Sequence, residues 1–112
     1  IDYDVFCGVK IPESKDEISS EELEEWLKSG VDFQLIDVRE SYEYDIDNLS
    51  GELMPLSRLE DFVAGISRAK PVVIHCQGGM RSRKAIKQLR EQYNFSNLKN
   101  LTGGIAAFRK IV

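Results

Sequence analysis

The sequence predicts an α/β fold, a sheet with helices on both faces, and three observations carry that prediction. Short apolar strand patterns alternate with helical patterns along the chain. The strongest strand pattern, Val72-Val73-Ile74-His75, is apolar without a break, as suits a parallel strand buried on both faces. The length of 112 residues, with 42% hydrophobic and 30% charged side chains, is that of one ordinary globular domain.

Taken in order, residues 1–17 have no clear period and contain Gly8, Pro12 and Ser14, which reads as a linker or N-terminal arm. Its apolar residues Tyr3, Val5, Phe6 and Cys7 exceed what a free tail needs, so part of it is expected to pack. The main domain is expected over 18–112. Ser19 and Glu22 form a capping box, with Ile18 and Leu23 as the matching hydrophobic staple. A helix is therefore expected from Ser20 to Gly30, burying Leu23, Trp26 and Leu27. Phe33, Leu35, Ile36 and Val38 predict a strand, followed by a short helix through Tyr44 and a turn at Asn48 to Gly51. Ser57 and Glu60 repeat the capping-box spacing and predict a second helix, with Leu59, Phe62, Val63 and Ile66 on one face. After Val72–His75 and the loop Cys76–Arg81, a helix is expected from Ser82 with Ala85, Ile86 and Leu89 inward. Leu98–Leu101 reads as a last strand, Gly103-Gly104 as a turn, and Ile105–Lys110 as a closing helix.

Composition narrows the chemistry. No apolar run approaches the roughly 18 residues of a membrane span, and no signal-peptide pattern opens the chain. Two cysteines and one histidine are too few for a disulfide framework or a tetrahedral zinc site, which suits a reducing, cytoplasmic setting. The net charge of −4 argues against nucleic acid as a partner. That total hides an asymmetry: residues 1–50 hold 15 acidic and 4 basic side chains, and residues 51–112 hold 4 and 11.

In α/β folds ligands bind at the carboxyl ends of parallel strands, the position of His75-Cys76-Gln77-Gly78-Gly79-Met80-Arg81-Ser82. A cysteine followed by two glycines, an arginine and a helix start has the ingredients of a thiolate cradle. Glycines let consecutive N–H groups turn inward, and a helix N-terminus adds a partial charge of about +0.5. A free thiol titrates near 8.5, and such surroundings lower it to roughly 3.5–7.5, which makes Cys76 a nucleophile at neutral pH. A merely buried cysteine requires none of these neighbours. Strand alternation turns His75 away from Cys76, and a structural histidine with satisfied nitrogens is expected there. Arg81 is expected to bind anions. Asp37 and Arg39, at another strand end, are expected to form an ion pair or to orient the loop. Cys7 is expected to be a bystander. Arg83, Lys84, Lys87 and Arg90 follow helical spacing and read as a solvated face, with a docking surface for an acidic protein as the alternative.

Cysteine-dependent phosphatases resemble this loop, but with a longer spacing between cysteine and arginine; here four residues separate Cys76 from Arg81. The shorter ring suits a smaller guest, such as the outer sulfur of a persulfide. From about Ile18 to Lys110 the chain resembles a rhodanese-like sulfurtransferase domain. The matching pieces are Leu35-Ile36-Asp37-Val38-Arg39-Glu40, Glu43-Tyr44, Gly51 with Pro55, the loop from Cys76 to Ser82, and Leu101-Thr102-Gly103-Gly104-Ile105 with Phe108. The resemblance implies a five-stranded, mostly parallel sheet and a persulfide on Cys76, cradled by the N–H groups of Gln77, Gly78, Gly79, Met80, Arg81 and Ser82.

Asp47-Asn48-Leu49, before Gly51, and the opening Ile1 to Gly8 are similar to the subset fused behind ThiF/MoeB-type adenylyltransferases. A chain that starts at Ile1 fits such a fused origin. The expected partners are a sulfur donor, either thiosulfate in vitro or a persulfide-bearing desulfurase, and a ubiquitin-like sulfur carrier in molybdopterin or thiamine biosynthesis. No cofactor is expected in this domain; ATP and zinc would belong to the adenylyltransferase part. The alternatives are a phosphatase or arsenate-reductase-like enzyme and a non-catalytic binding module.

Overall fold

The computed structural model describes residues 17–111. Strands and helices alternate: β1 (Glu17–Ile18), α1 (Ser20–Ser29), β2 (Gln34–Asp37), α2 (Ser41–Ile46), β3 (Glu52–Leu53), β4 (Val72–His75), α3 (Met80–Tyr93), β5 (Leu98–Leu101) and α4 (Gly104–Ile111). The five strands form one sheet in the order β1-β5-β4-β2-β3, and every pairing among the described residues is parallel. Among the described residues the sheet begins at Glu17, the last residue of the expected arm. Tyr3, Val5, Phe6 and Cys7 lie outside the described residues.

Alternation along β4 divides the core between the two faces of the sheet. Val72, Ile74 and Cys76 pack with Ala85, Ile86 and Leu89 of α3 and with Leu59 and Ile66. Val73 packs on the other side with Leu23 of α1, Leu101 and Phe108 of α4. Burial of each such aliphatic side chain stabilises the fold by about 1.5–3 kcal/mol, so β4 is anchored from both faces and its end is a firm platform.

The capping box forms as expected: Ser19 Oγ accepts from the Glu22 N–H at 3.1 Å, and Glu22 Oε1 accepts from the Ser19 N–H at 3.0 Å. Leu23 is fully buried, and Trp26 is partly covered with its ring 5.2 Å from that of Phe33. Leu27, expected in the core, is 48% exposed. It lines an open cavity with Phe33, Leu49 and Ile66, where no element of the described residues covers it.

The helix expected after Ser57 is replaced by two 3-10 turns, Leu56–Asp61 and Val63–Gly65. The Ser57 hydroxyl donates to Glu40 Oε2 at 3.1 Å instead of capping its own segment, and Arg58 leaves the helical region at φ −130°. The inward face is nonetheless the expected one, with Leu59 and Ile66 buried and Phe62 and Val63 partly so. Helix α3 starts two residues before the expected Ser82, because Gly79 takes a φ of 106° and turns the chain directly into Met80. No helix of the described residues is long and apolar enough to cross a membrane.

Candidate active site

The carboxyl ends of β2 and β4 lie side by side, with Asp37 paired to His75 in register. Cys76 follows β4 with 1% of its surface exposed, beneath a loop whose Gln77, Gly78 and Met80 are open to solvent. The sulfur accepts the Gly79 N–H at 3.0 Å and lies 3.5 Å from the Ser82 hydroxyl. Burial by itself would push the thiol up. The Ser82 hydroxyl and the N–H groups of Ser82, Gly79 and Gly78 outweigh it, and Cys76 titrates below the ordinary thiol value. Three of the six expected residues thus aim donors at the sulfur, and α3 adds the positive end of its dipole.

Gln77 turns its side chain outward, where its Oε1 accepts from Arg39 at 3.4 Å. Met80, 71% exposed, stands on the rim. A sulfur bonded to Sγ would reach about 2 Å beyond it. The loop is held from behind by α4. The Ile105 N–H donates to Cys76 O at 2.9 Å and the Ala106 N–H to Gln77 O at 3.1 Å. Gly104 permits this approach, since a Cβ there would meet both carbonyl oxygens at 2.5 Å.

Asp37 and Arg39 form the expected ion pair, buried at 0% and 3% exposure. Arg39 Nε donates to Asp37 Oδ1 at 3.0 Å, Arg39 Nη2 to Asp37 Oδ2 at 2.9 Å, and Nη2 also to the Asp47 carbonyl at 2.6 Å. With its contact to Gln77, Arg39 ties β2 and α2 to the reactive loop. It touches the loop side chain and not the sulfur, so its part is orientation.

Two site residues differ from expectation. Arg81 is not a free anion ligand: its guanidinium is bound by both oxygens of Glu43, at 2.7 and 2.8 Å. That fork holds the Glu43 carboxyl down to about 2 and raises Arg81 further above its ordinary value. Glu43 was visible in sequence only as part of a family pattern; its pairing spans 38 positions and has no local signal. His75 points away from Cys76 as expected, but it is not satisfied. It is fully buried, and neither ring nitrogen has a hydrogen-bond partner among the described residues. Its Nε2 stands 3.8 Å from Asp37 Oδ2, whose carboxylate is already taken by Arg39. Burial lowers the His75 pKa and keeps the ring neutral.

Sequence reasoning missed Asn100. This β5 side chain, 1% exposed, meets the Ser82 hydroxyl through Oδ1 and donates through Nδ2 to Glu17 at 3.2 and 3.3 Å. Its only sequence signal is a polar residue at an inward position of a strand. A cavity of about 680 Å³ lies at the amino ends of the strands beside Gln34 and Lys70, away from Cys76. A smaller one of about 290 Å³ opens beside the loop between Arg39, Glu43, Ile46, Asp47, Gln77 and Arg109.

Comparison with known proteins agrees with this geometry. The rhodanese-like domain family model matches residues 19–111. The probable adenylyltransferase/sulfurtransferase MoeZ of Mycobacterium tuberculosis is 34% identical over 98% of this chain, which spans 30% of that protein. The tRNA uridine(34) hydroxylase of Bdellovibrio bacteriovorus is 33% identical over 92% of this chain and 31% of its own length. The chain thus covers about a third of these curated relatives. Among solved structures, the rhodanese-like domain protein of Staphylococcus aureus superposes with a TM-score of 0.76 at 26% identity, covering 83% of this chain and 90% of that one. With the parallel sheet, the cysteine at the end of its central strand and the glycine-rich turn into α3 all in place, the chain belongs to the rhodanese-like domain family.

Proposed function

We propose that the chain is a sulfurtransferase domain that carries sulfane sulfur as a persulfide on Cys76. The observation that carries this reading is the Cys76 sulfur itself, buried at the strand end with the Gly79 N–H at 3.0 Å and the Ser82 hydroxyl at 3.5 Å. These donors stabilise a thiolate and equally the anionic outer sulfur of a persulfide. In the first step the Cys76 thiolate attacks the outer sulfur of a donor. With thiosulfate, the S–S bond of the donor breaks, sulfite leaves with the electron pair, and Cys76–S–S⁻ remains.

In the second step the outer sulfur passes to an acceptor. Relatives named adenylyltransferase and sulfurtransferase, MoeZ among them, support an acyl-adenylate at the C-terminus of a ubiquitin-like sulfur carrier as that acceptor. The persulfide attacks the acyl carbon, AMP leaves, and an acyl disulfide joins carrier and Cys76. Two thiol equivalents, oxidised to a disulfide, then reduce the S–S bond, releasing a thiocarboxylate and regenerating the Cys76 thiolate. Molybdopterin or thiamine biosynthesis, in the cytoplasm, is the setting we assign to that product. The persulfide on a desulfurase fits the donor role as well as thiosulfate does. The adenylylation step, with its ATP and zinc, would belong to a separate adenylyltransferase domain.

The phosphatase reading is weaker, because the only loop arginine at a comparable position is bound by Glu43 and the ring is short. The test is thiosulfate-to-cyanide sulfur transfer by wild type and Cys76→Ser. Loss of transfer in the variant supports the proposal; full retention contradicts it.

A further inference from the structure

The Ser82 hydroxyl stands at the centre of a competition that the sulfur chemistry alone does not explain. It has one proton and three acceptors within reach: the Gly79 carbonyl at 3.0 Å, Asn100 Oδ1, and Cys76 Sγ at 3.5 Å. Asn100 is 1% exposed and cannot swing away. Its amide faces Glu17, donating from Nδ2 to both carboxylate oxygens at 3.2 and 3.3 Å. Rotating the amide by half a turn would set Oδ1 against that carboxylate, so Glu17 keeps Nδ2 on its own side and Oδ1 on the side of Ser82. Glu17 is itself steadied by the Thr102 hydroxyl at 2.8 Å and by Arg83 at 3.7 Å. The chain of contacts runs from β1 through β5 and α3 to the sulfur.

We propose that Asn100, oriented by Glu17, is a positioning residue that holds the Ser82 hydroxyl proton away from Cys76 and so sets how readily the thiol ionises. Each acceptor offered to the proton makes its transfer to the thiolate less favourable. Asn100 therefore restrains Cys76, while Ser82 is available to the sulfur when negative charge develops there, as thiolate or as persulfide. Neither Asn100 nor Glu17 touches the sulfur. The inference deepens the sulfurtransferase reading, but it concerns the ionisation of Cys76 and does not require that sulfur be transferred.

Other charges bear on Cys76. Arg81 at the start of α3, bound to Glu43 of α2, is within electrostatic reach. The Asp37–Arg39 pair stands at the end of β2, and neutral His75 lies on the opposite face of β4. All of these are the same in every variant compared, so they cancel in the differences; the one charge that changes is that of Glu17, paired with Arg83, in Glu17→Gln.

The test is the pH dependence of iodoacetamide alkylation, read on the Cys76-bearing peptide so that Cys7 does not contribute. Wild type, Asn100→Ala, Glu17→Gln, Ser82→Ala and the two double variants with Ser82→Ala are compared. One competing hydrogen bond corresponds to a threefold to tenfold change in an equilibrium, or about 0.5–1 pH unit. Asn100→Ala is expected to move the midpoint down by that amount, Glu17→Gln to move it the same way, and Ser82→Ala to move it up. In the Ser82→Ala background the effect of Asn100→Ala should vanish, and that of Glu17→Gln should shrink to the direct effect of its lost charge. An equal shift with and without Ser82, or no shift at all, overturns the proposal. Glu17 is 31% exposed, so its variant keeps the test decisive if Asn100→Ala fails to fold. Because alkylation needs no sulfur donor, a failed sulfur-transfer assay leaves this result standing, and the reverse also holds.

Discussion

Replacing Gly104 by alanine separates two energies that the structure places at one residue. Gly104 has a φ of +63°, and an added Cβ would meet Cys76 O and Gln77 O at 2.5 Å and Gln77 C at 2.7 Å. Those neighbours are backbone atoms of the reactive loop, which the Ile105 and Ala106 N–H groups hold in place. The left-handed conformation costs a non-glycine residue about 1–2 kcal/mol. Forcing a methyl group into a packed site adds about 1–3 kcal/mol, so Gly104→Ala should lose about 2–5 kcal/mol. Gly30 supplies the control: its φ is +73°, yet nothing lies within 4 Å of an added Cβ. Gly30→Ala should therefore show the conformational cost alone. Urea denaturation of both variants measures the difference, and slower Cys76 alkylation in Gly104→Ala at constant pH reports displacement of the loop. If Gly104→Ala is no less stable than Gly30→Ala, the close packing of α4 against the loop is not what holds it.

Three further outcomes follow from the ion pairs. Glu43→Gln releases the Arg81 guanidinium, so the rate of Cys76 alkylation by anionic iodoacetate should rise severalfold relative to neutral iodoacetamide; an unchanged ratio would show that Arg81 does not face the sulfur. Because the folded Glu43 carboxyl is lowered from 4.5 to about 2, its contribution to stability is present above pH 4.5 and is lost as pH falls through about 2. The acid-unfolding curves of wild type and Glu43→Gln should therefore converge toward about pH 2, and a constant gap over that interval would refute the assignment. Arg39→Met leaves Asp37 buried without its partner and should cost about 3–5 kcal/mol in urea denaturation, whereas a loss under 1 kcal/mol would contradict the buried pair.

The parts of this site that were legible in the sequence are those governed by neighbours in the chain. Ser19 and Glu22 announce α1 because both hydrogen bonds of the box close within four residues. The unbroken run Val72–His75 identifies the central strand because both its faces are covered, and the Gly78-Gly79 pair marks the loop because Gly79 needs a positive φ. The same spacing at Ser57 and Glu60 misled, because Ser57 bonds Glu40 across the fold. Leu27 has the right spacing but no element of the described residues above it. The loop position of Arg81 points to anion binding, but its contact with Glu43 has no local signal, since Glu43 lies 38 positions away. Asn100 went unnoticed, because its importance depends on α3 and β1 meeting at β5.

Whether Cys76 carries sulfur is read from the mass of the Cys76-bearing peptide after incubation with thiosulfate. A persulfide there adds about 32 Da that dithiothreitol removes and that Cys76→Ser does not acquire. An unmodified Cys76 after incubation with both thiosulfate and a small-molecule persulfide, with the fold intact, would contradict it.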